Sequence, residues 1–327
     1  PDGKNHGMMM LLDWSGSMAD VLFDTVKQLI NLVEFCKKVN IPFEVYFFTS
    51  ERKYDREYGA PVTSWSQNSG EFAFEDFNLV NCVSHRMNKK TIDLAMKTLF
   101  HMGKYFDNRY TRRSTDWYSS EQYEADCNNW GIPSGYYLGN TPLNESLVYI
   151  NTLLPMFQKK YDIEKMTFIT LTDGAGNYPR CDVRTADGGK EEKDWDKTTV
   201  YQIDNKKFAE RGNITEQLLK HIKKQHDVNI IGFYIVKRVR RWDLEKHVGE
   251  YKDYYDKDKK INNMRKELTK HKAVACNNEG YDKYFLLDGK KMKVENFDMT
   301  GAEVKKGTAS ELKRIFGKSM ANRLVSR

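Results

Sequence analysis

Three segments of the chain are apolar runs that do not alternate between apolar and polar positions, and a fourth, at 43–50, is rich in β-forming residues. They are GMMMLLD at 7–13, FEVYFFTS at 43–50, MTFITLTDG at 166–174 and VNIIGFYIV at 228–236. Continuous apolar runs of this length are typical of strands that are buried on both faces, as in a parallel sheet. The first and third runs end in an acidic residue that precedes Ser/Gly or Gly, so polar groups are expected at these strand ends.

Segments with helical spacing of apolar residues lie between these runs. The predicted helices cover 19–39, 91–105, 144–157, 213–226 and 310–325, and a short edge strand is predicted at 284–289. The first strand, helix and strand form a βαβ unit, whose crossover should be right-handed. This alternation predicts the α/β class, with a doubly wound, mostly parallel, Rossmann-like central sheet flanked by helices.

Three long stretches of the chain show few clear periods. Residues 51–90 and 106–140 are polar and aromatic, and residues 175–212 are rich in Gly, Asp and Lys. Loops of such length in a compact domain are usually functional when they are ordered. We therefore expect a single domain over 1–327, with insertions at about 51–140 and 175–212 and a C-terminal helical extension at about 308–327.

The composition is that of a globular protein with a mixed-charge surface. Hydrophobic residues make up 39% of the 327 residues and aromatic residues 13%, enough to form a sizeable core. The net charge of +7 is mild for this length, and acids accompany the bases, as in KDYYDKDKK at 252–260. This pattern favours a solvated surface over nucleic-acid binding.

The cysteines favour a reducing compartment. The five residues, at positions 36, 82, 127, 181 and 276, are odd in number and far apart, and no CxxC pair or zinc-like spacing with His occurs. Thiols left free are expected in the cytoplasm. The sequence shows no signal-peptide pattern and no apolar run near the roughly 18 residues of a membrane span, so we expect a cytoplasmic protein without a membrane partner.

Three short segments carry carboxylate and hydroxyl groups at predicted element ends. Asp13-Trp14-Ser15-Gly16-Ser17 follows the first strand, Gly139-Asn140-Thr141-Pro142-Leu143 precedes a helix, and Leu171-Thr172-Asp173-Gly174 closes another strand. The carboxyl ends of parallel strands meet at one edge of a sheet, where ligands bind. Hard oxygen donors select Mg²⁺, and also Mn²⁺ or Ca²⁺, over softer metals. The alternative is that Asp13 and Ser15 merely cap the helix at 19–39.

The three segments together resemble the metal-ion-dependent adhesion site (MIDAS) of von Willebrand factor A (vWA) domains. The resemblance rests on DWSGSM at 13–18, TPL at 141–143 and TDG at 172–174, in this order, and it covers roughly 8–50 and 139–236. It implies a bound Mg²⁺, with an open coordination position that a Glu or Asp of a partner fills. The metal ligands it implies are Asp13, Ser15, Ser17, Thr141 and Asp173.

Within that family, GNTPLNESL at 139–147 and LTDGAGN at 171–177 resemble the CobT-like subunits of cobaltochelatases and their relatives in tailed phages. The resemblance implies a MoxR-type or CobS-like AAA+ ATPase partner, an acidic-residue-bearing client protein and a bacterial or phage-infected host cell. The leading hypothesis is a metal-dependent protein-interaction module. The alternatives are a CobT-like subunit of a cobalt or magnesium chelatase complex in cobalamin biosynthesis, and a phage structural or RNA-binding vWA protein.

The sequence shows no motif for catalysis by this chain alone. It contains no GxxxxGK[ST] phosphate loop and no GxSxG nucleophile elbow. Cys181, His221 and His226 could be soft-metal ligands, but solvated helix histidines are the favoured interpretation. The aromatic residues Tyr118, Tyr123, Trp130, Tyr136 and Tyr137 could form a docking surface, although an insertion packed on its own small core is favoured.

Overall fold

The structure, a computed structural model, describes residues 5–50, 72–74, 77–112, 132, 135–174, 176, 181–184, 190–193, 200–203, 206–209, 213–248, 254–278 and 280–289. The strands are β1 (His6–Asp13), β2 (Phe43–Thr49), β3 (Phe72–Phe74), β4 (Asn78–Ser84), β5 (Lys165–Thr172), β6 (Cys181–Arg184), β7 (Lys190–Lys193), β8 (Val200–Ile203), β9 (Lys206–Ala209), β10 (Val228–Val236), β11 (Ala273–Cys276) and β12 (Lys283–Asp288). The helices are α1 (Ala19–Lys38), α2 (Lys89–Arg112), α3 (Leu143–Tyr161), α4 (Ile214–His226), α5 (Arg241–Glu245) and α6 (Tyr254–His271). None of these helices is long and apolar enough to cross a membrane.

The main sheet of the described chain has seven strands, in the order β11-β12-β10-β5-β1-β2-β4. The five strands from β12 to β2 are parallel, whereas β11 runs antiparallel to β12 and β4 runs antiparallel to β2. The prediction of a doubly wound, mostly parallel, Rossmann-like sheet is therefore wrong. The protein is α/β in content, but its sheet is mixed.

Both antiparallel edges have a local reason. Only six residues separate β11 from β12, and a parallel pair needs a crossover of a dozen or more. Strand β4, NLVNCVS, places polar residues among its apolar ones, as edge strands with one solvated face do. A search for continuous apolar runs does not detect such a strand.

The parallel strands separate two apolar cores. On β1, Met8, Met10 and Leu12 face the core that α1 and α2 cover, whereas Met9 and Leu11 face the core with α3 and α4. Both sets are buried, which explains why the run at 7–13 is continuous. A third, smaller cluster lies where α5 and α6 pack near β10 and β12.

The regions predicted as insertions contribute differently to this architecture. Within 51–140, β4 forms an edge of the main sheet and α2 packs against α1. Within 175–212, β6 and β7 join β3 in a small sheet, and β8 pairs with β9. The predicted C-terminal extension at about 308–327 lies outside the described residues.

Candidate metal centre

The carboxyl ends of β1 and β5 lie side by side at one edge of the sheet. The two strands are parallel neighbours, with Leu12 opposite Leu171. Asp13 is the last residue of β1, and Asp173 follows the last residue of β5. Both predicted carboxylates therefore belong to the same edge.

Hydrogen bonds join three of the five predicted ligands at this edge. The Ser15 and Ser17 hydroxyl oxygens are 3.1 Å apart, and the Ser17 hydroxyl donates to Asp173 Oδ1 at 2.9 Å. Asp13 is held from the other side, because the Thr172 hydroxyl donates to its Oδ2 at 2.7 Å. Thr172 is a contributor that sequence reasoning missed, although it stands next to Asp173 in the motif.

The segment that carries Thr141 is attached to the Asp13–Ser17 segment through the backbone. Ser15 forms an isolated parallel bridge with Gly139, and the Gly16 amide donates to the Gly139 carbonyl at 2.8 Å. This pairing places Thr141, which is 7% exposed, near the same edge two residues later. None of the hydrogen bonds described above involves the Thr141 hydroxyl.

Gly139 is required where the Thr141 segment passes over the end of β2. A Cβ atom at this position would lie 2.5 Å from Ser50 Oγ and 3.0 Å from the Ser50 amide nitrogen. The same approach allows the Asn140 amide to donate to Ser50 Oγ at 2.6 Å. A side chain here would displace the Ser50 and Thr49 hydroxyls and would crowd the Ser50 backbone.

Trp14 fixes the preceding turn, and sequence reasoning gave it no role. Its indole N–H donates to the Tyr136 carbonyl at 2.8 Å, and its ring stacks on Phe47 with centroids 4.8 Å apart. The Thr49 hydroxyl donates to the Tyr137 carbonyl at 3.0 Å. The fully buried indole of the DWSGS motif thus positions the segment that brings Thr141.

The cluster leaves one buried carboxylate oxygen without a partner. Asp13 is 0% exposed, and its Oδ1 accepts no hydrogen bond in the described part of the chain. Burial raises the pKa of Asp13 to about 7, and the nearby Asp173 carboxylate raises it further, while hydrogen bonding from the Thr172 and Ser15 side chains and from the Asp173 backbone opposes the shift. Burial also raises the pKa of Asp173. A cation would compensate both carboxylates.

The donor set is compatible with a hard divalent cation. It offers two carboxylates and the hydroxyls of two serines, and it would be completed by the hydroxyl of Thr141. Among the described residues, no group of three or more His, Cys, Asp and Glu side chains could hold a metal. A metal at this edge would therefore depend on hydroxyl ligands as well as carboxylates.

The helix-capping alternative receives no support from the geometry. Ser15 occupies the N-cap position of the short 3₁₀ turn at Gly16–Met18, but its side chain makes no capping hydrogen bond. Helix α1 has Met18 at its N-cap, also without a side-chain cap. The Ser15 hydroxyl instead contacts Ser17.

The other candidate groups lie elsewhere. His221 is buried against Phe208, so the prediction that it is a solvated histidine is wrong, and His226 Nε2 lies 2.9 Å from Asn151 Oδ1. Tyr136 and Tyr137 pack on the main core. Tyr118, Tyr123, Trp130 and the Cys181 side chain lie outside the described residues.

The similarities of this chain to the two solved structures described below are weak. No protein-family model matches the chain, and no curated protein matches it. Among solved structures, it is similar to the pilus adhesin SpaC from Lactobacillus rhamnosus GG in its open conformation, with 12% identity over 83% of this chain and 30% of the adhesin and a TM-score of 0.38. A second form of the same adhesin is 12% identical over 82% of this chain and 31% of the adhesin, with a TM-score of 0.36. The chain thus spans about a third of the adhesin, and overlaps at this level carry no argument about function.

Proposed function

We propose that this chain is a divalent-metal-dependent protein-interaction module of the vWA type, which works as an adaptor for a MoxR-type AAA+ ATPase. Its metal, Mg²⁺ in the first instance, would be held by Asp13, Ser15, Ser17, Thr141 and Asp173. The observation that carries the proposal is the buried Asp13 Oδ1, which has no hydrogen-bond partner and lies beside a second carboxylate.

The electrostatics of the edge support a metal over a purely structural role. An unpaired buried carboxylate oxygen is costly, and a second carboxylate nearby increases the cost. Replacing it with an apolar group would remove that cost, so a purely structural account does not explain why an acid occupies the site. When bound, Mg²⁺ supplies a positive charge and an open coordination position for an incoming carboxylate.

The partner is the part of the proposal that rests on the vWA resemblance. In that family a Glu or Asp of the partner completes the metal's coordination, and the CobT-like branch works with an AAA+ ring. A cytoplasmic location, in a bacterial or phage-infected cell, fits both this partner and the free thiols of Cys36, Cys82 and Cys276.

Metal binding is tested first, by calorimetric titration of the whole chain with Mg²⁺. Asp13→Asn and Asp173→Asn should abolish the binding heat because each removes a charged ligand. The matched control is Asp162→Asn, the same change at an αL position before β5, at the opposite edge of the sheet. Equal Mg²⁺ binding by all four proteins would refute the metal site.

Partner binding is tested by pull-down with the MoxR-type ATPase of the same genome, in Mg²⁺ and in EDTA. We expect retention of the ATPase only in Mg²⁺ and only by the wild type and Asp162→Asn. Retention that is indifferent to EDTA and to Asp173→Asn would contradict an adaptor that works through the metal.

A further inference from the structure

The turn that follows β10 concentrates positive charge at the same edge of the sheet as the candidate metal centre. We call residues 237–246 the cationic turn. It contains five basic residues against two acidic ones, Asp243 and Glu245, whereas the chain as a whole mixes the two signs evenly. The basic residues are Lys237, Arg238, Arg240, Arg241 and Lys246.

Two of these cations are already engaged with carboxylates. Lys237 Nζ lies 2.9 Å from Asp20 Oδ2, and Arg241 contacts Glu245 at 2.6 Å and also Asp258. Both pairs are partly exposed, so each is worth little to stability. Their acids are nevertheless taken and cannot neutralise the remaining cations.

The other three cations face solvent and make no ion pair with an acid in the part of the chain that the structure describes. Arg238 and Arg240 are exposed, and neither makes an ion pair with a residue that the structure describes. Lys246 lies over the Trp242 ring, with Nζ 4.2 Å from the centroid, and Trp242 is 47% exposed. Asp243 cannot serve them, because it is 1% exposed and its Oδ2 accepts from the Arg240 amide.

The cationic turn lies within reach of the candidate metal centre. Strand β10 is the parallel neighbour of β5, and Tyr234 stands opposite Thr172, the residue before Asp173. Neighbouring strands are about 4.8 Å apart, so β10 ends roughly 10 Å from β1. Burial raises the pKa of Tyr234, and the charges of Asp243 and Asp173 raise it further. An acid of the cationic turn and an acid of the metal edge are therefore both near Tyr234.

We propose that the cationic turn is the second half of the partner-binding surface, and that it selects an acidic polypeptide segment. One carboxylate of that segment would complete the metal's coordination, while neighbouring carboxylates would pair with Arg238, Arg240 and Lys246. This inference rests on the proposed function, and it specifies the class of partner: a segment with several closely spaced Asp or Glu residues.

The charge distribution favours an acidic peptide over a nucleic acid. Three unpaired cations lie close together in the cationic turn, and the acids Asp20, Glu245 and Asp258 pair with its other basic residues. A phosphate backbone would need a longer basic track to gain affinity by counterion release. A short acidic segment matches the small area, and charge complementarity of this kind sets partner choice and association rate.

The test uses the whole chain and a defined probe, a fluorescently labelled peptide of alternating Glu and Ser, with fluorescence anisotropy in Mg²⁺ at low salt. The variant is the double charge reversal Arg238→Glu/Arg240→Glu. The matched control is Lys159→Glu/Lys224→Glu, which makes the same charge change on exposed residues at the opposite edge of the sheet. We expect at least about tenfold weaker binding for the first variant and less than about twofold for the control.

Two further measurements separate this inference from the proposed function. Calorimetry should show that Arg238→Glu/Arg240→Glu still binds Mg²⁺, because neither arginine is a candidate ligand. Peptide binding should also weaken in EDTA and with rising salt. If Mg²⁺ binds but both double variants bind the peptide equally, the cationic turn is not a binding surface. If Mg²⁺ does not bind at all, the proposed function fails first.

A third measurement tests whether the cationic turn binds a nucleic acid instead of an acidic peptide. A single-stranded oligothymidylate of equal charge should bind more weakly than the peptide and should be indifferent to Mg²⁺. Tighter binding of the oligonucleotide, lost in Arg238→Glu/Arg240→Glu, would overturn the assignment to an acidic polypeptide. Absence of peptide binding by the wild type in Mg²⁺ would overturn it as well.

Discussion

Two buried carboxylates occupy neighbouring strands of the sheet and have opposite surroundings. Asp13 ends β1 at the carboxyl edge, whereas Glu44 lies near the beginning of β2, opposite Met9. Both are almost inaccessible, at 0% and 4% exposure. Burial alone therefore does not distinguish a structural acid from one that belongs to a binding site.

Glu44 belongs to a complete network. Its Oε1 accepts from the Ser84 hydroxyl at 2.9 Å and lies 3.2 Å from Arg86 Nε, and its Oε2 accepts from Asn81 Nδ2 at 2.8 Å. All the partners come from β4 and the turn after it. The network thus fixes the antiparallel edge strand to β2, and this role explains why an acid is tolerated there.

Asp13 differs because only one of its oxygens is satisfied by the protein. Thr172 donates to Oδ2, and Oδ1 has no partner among the described residues. The two acids thus differ in hydrogen bonding rather than in depth of burial. Glu145, Asp243 and Asp288 also leave one buried carboxylate oxygen without a partner among the described residues, so the nearby Asp173 carboxylate is the additional feature of the Asp13 site.

The largest expected effect is the change with pH in the free energy of unfolding of the metal-free protein. The pKa of Asp13 is about 7 in the folded protein against an ordinary value of 3.8. Between these values the folded state retains a proton that the unfolded chain has released, so stability is greatest at low pH and is lost as the pH rises to about 7. The change is on the order of 4 kcal/mol. About 3 kcal/mol of this change falls between pH 5 and pH 8, and urea unfolding in EDTA at these two pH values measures that part.

The variants needed to assign this pH dependence are Asp13→Asn and Glu145→Gln. Burial also raises the pKa of Glu145 to about 7, so this acid should contribute in the same direction. In each variant, stability should fall less as the pH rises, because the acid that was replaced no longer contributes. At pH 8, saturating Mg²⁺ should restore the stability of the wild type but not of Asp13→Asn. An unchanged decline in both variants would contradict the assignment.

Matched amide substitutions test whether Glu44 and Asp13 differ in their contribution to stability. Glu44→Gln should lower the free energy of unfolding by about 2–3 kcal/mol, because it removes the charge that Arg86 and the two donors contact. Asp13→Asn in EDTA at pH 8 should leave it unchanged or raise it, because an amide keeps the Thr172 bond and removes the repulsion with Asp173. Urea unfolding of both variants against wild type measures the difference.

For metal binding, the substitution that matters should be the one with little effect on stability. Asp13→Asn should lose Mg²⁺ binding, and Glu44→Gln should retain it, since Glu44 lies near the other end of the sheet. A large stability loss for Asp13→Asn in EDTA would mean that Asp13 is structural in the way that Glu44 is.

The sequence predicts the central strands well and the edges of the sheet poorly. Runs such as 228–236 are continuous because each is buried on both faces, and the observed β10 has these same bounds. Strand β4 mixes apolar and polar residues and lies in a range predicted as an insertion. The antiparallel edges depend on connection length and on pairing with β2, which a strand's own pattern does not encode.

In the candidate site, too, one part could be predicted from the sequence and another part could not. Local motifs identify Asp13, Ser15, Ser17 and Asp173, because strand ends and turns bring close residues together. The supporting contacts come from distant parts of the chain, such as the indole of Trp14 with the Tyr136 carbonyl. A signal was present at Gly139, since a glycine directly before a ligand segment indicates a close backbone approach. Its partner Ser50 could not be predicted without the structure.

Gly139 and Gly174 allow a last, smaller test, because both flank ligand segments but only one is crowded. A Cβ on Gly139 would meet Ser50 Oγ at 2.5 Å, whereas a Cβ on Gly174 would have no heavy atom within 4 Å and its φ is not in the left-handed region. Gly139→Ala should displace the Thr141 segment, weaken Mg²⁺ binding about tenfold and lower stability by about 1–2 kcal/mol. Gly174→Ala should change stability by less than about 0.5 kcal/mol. Calorimetry with Mg²⁺ distinguishes them, and equal affinities would mean that the Thr141 segment contributes nothing to the metal.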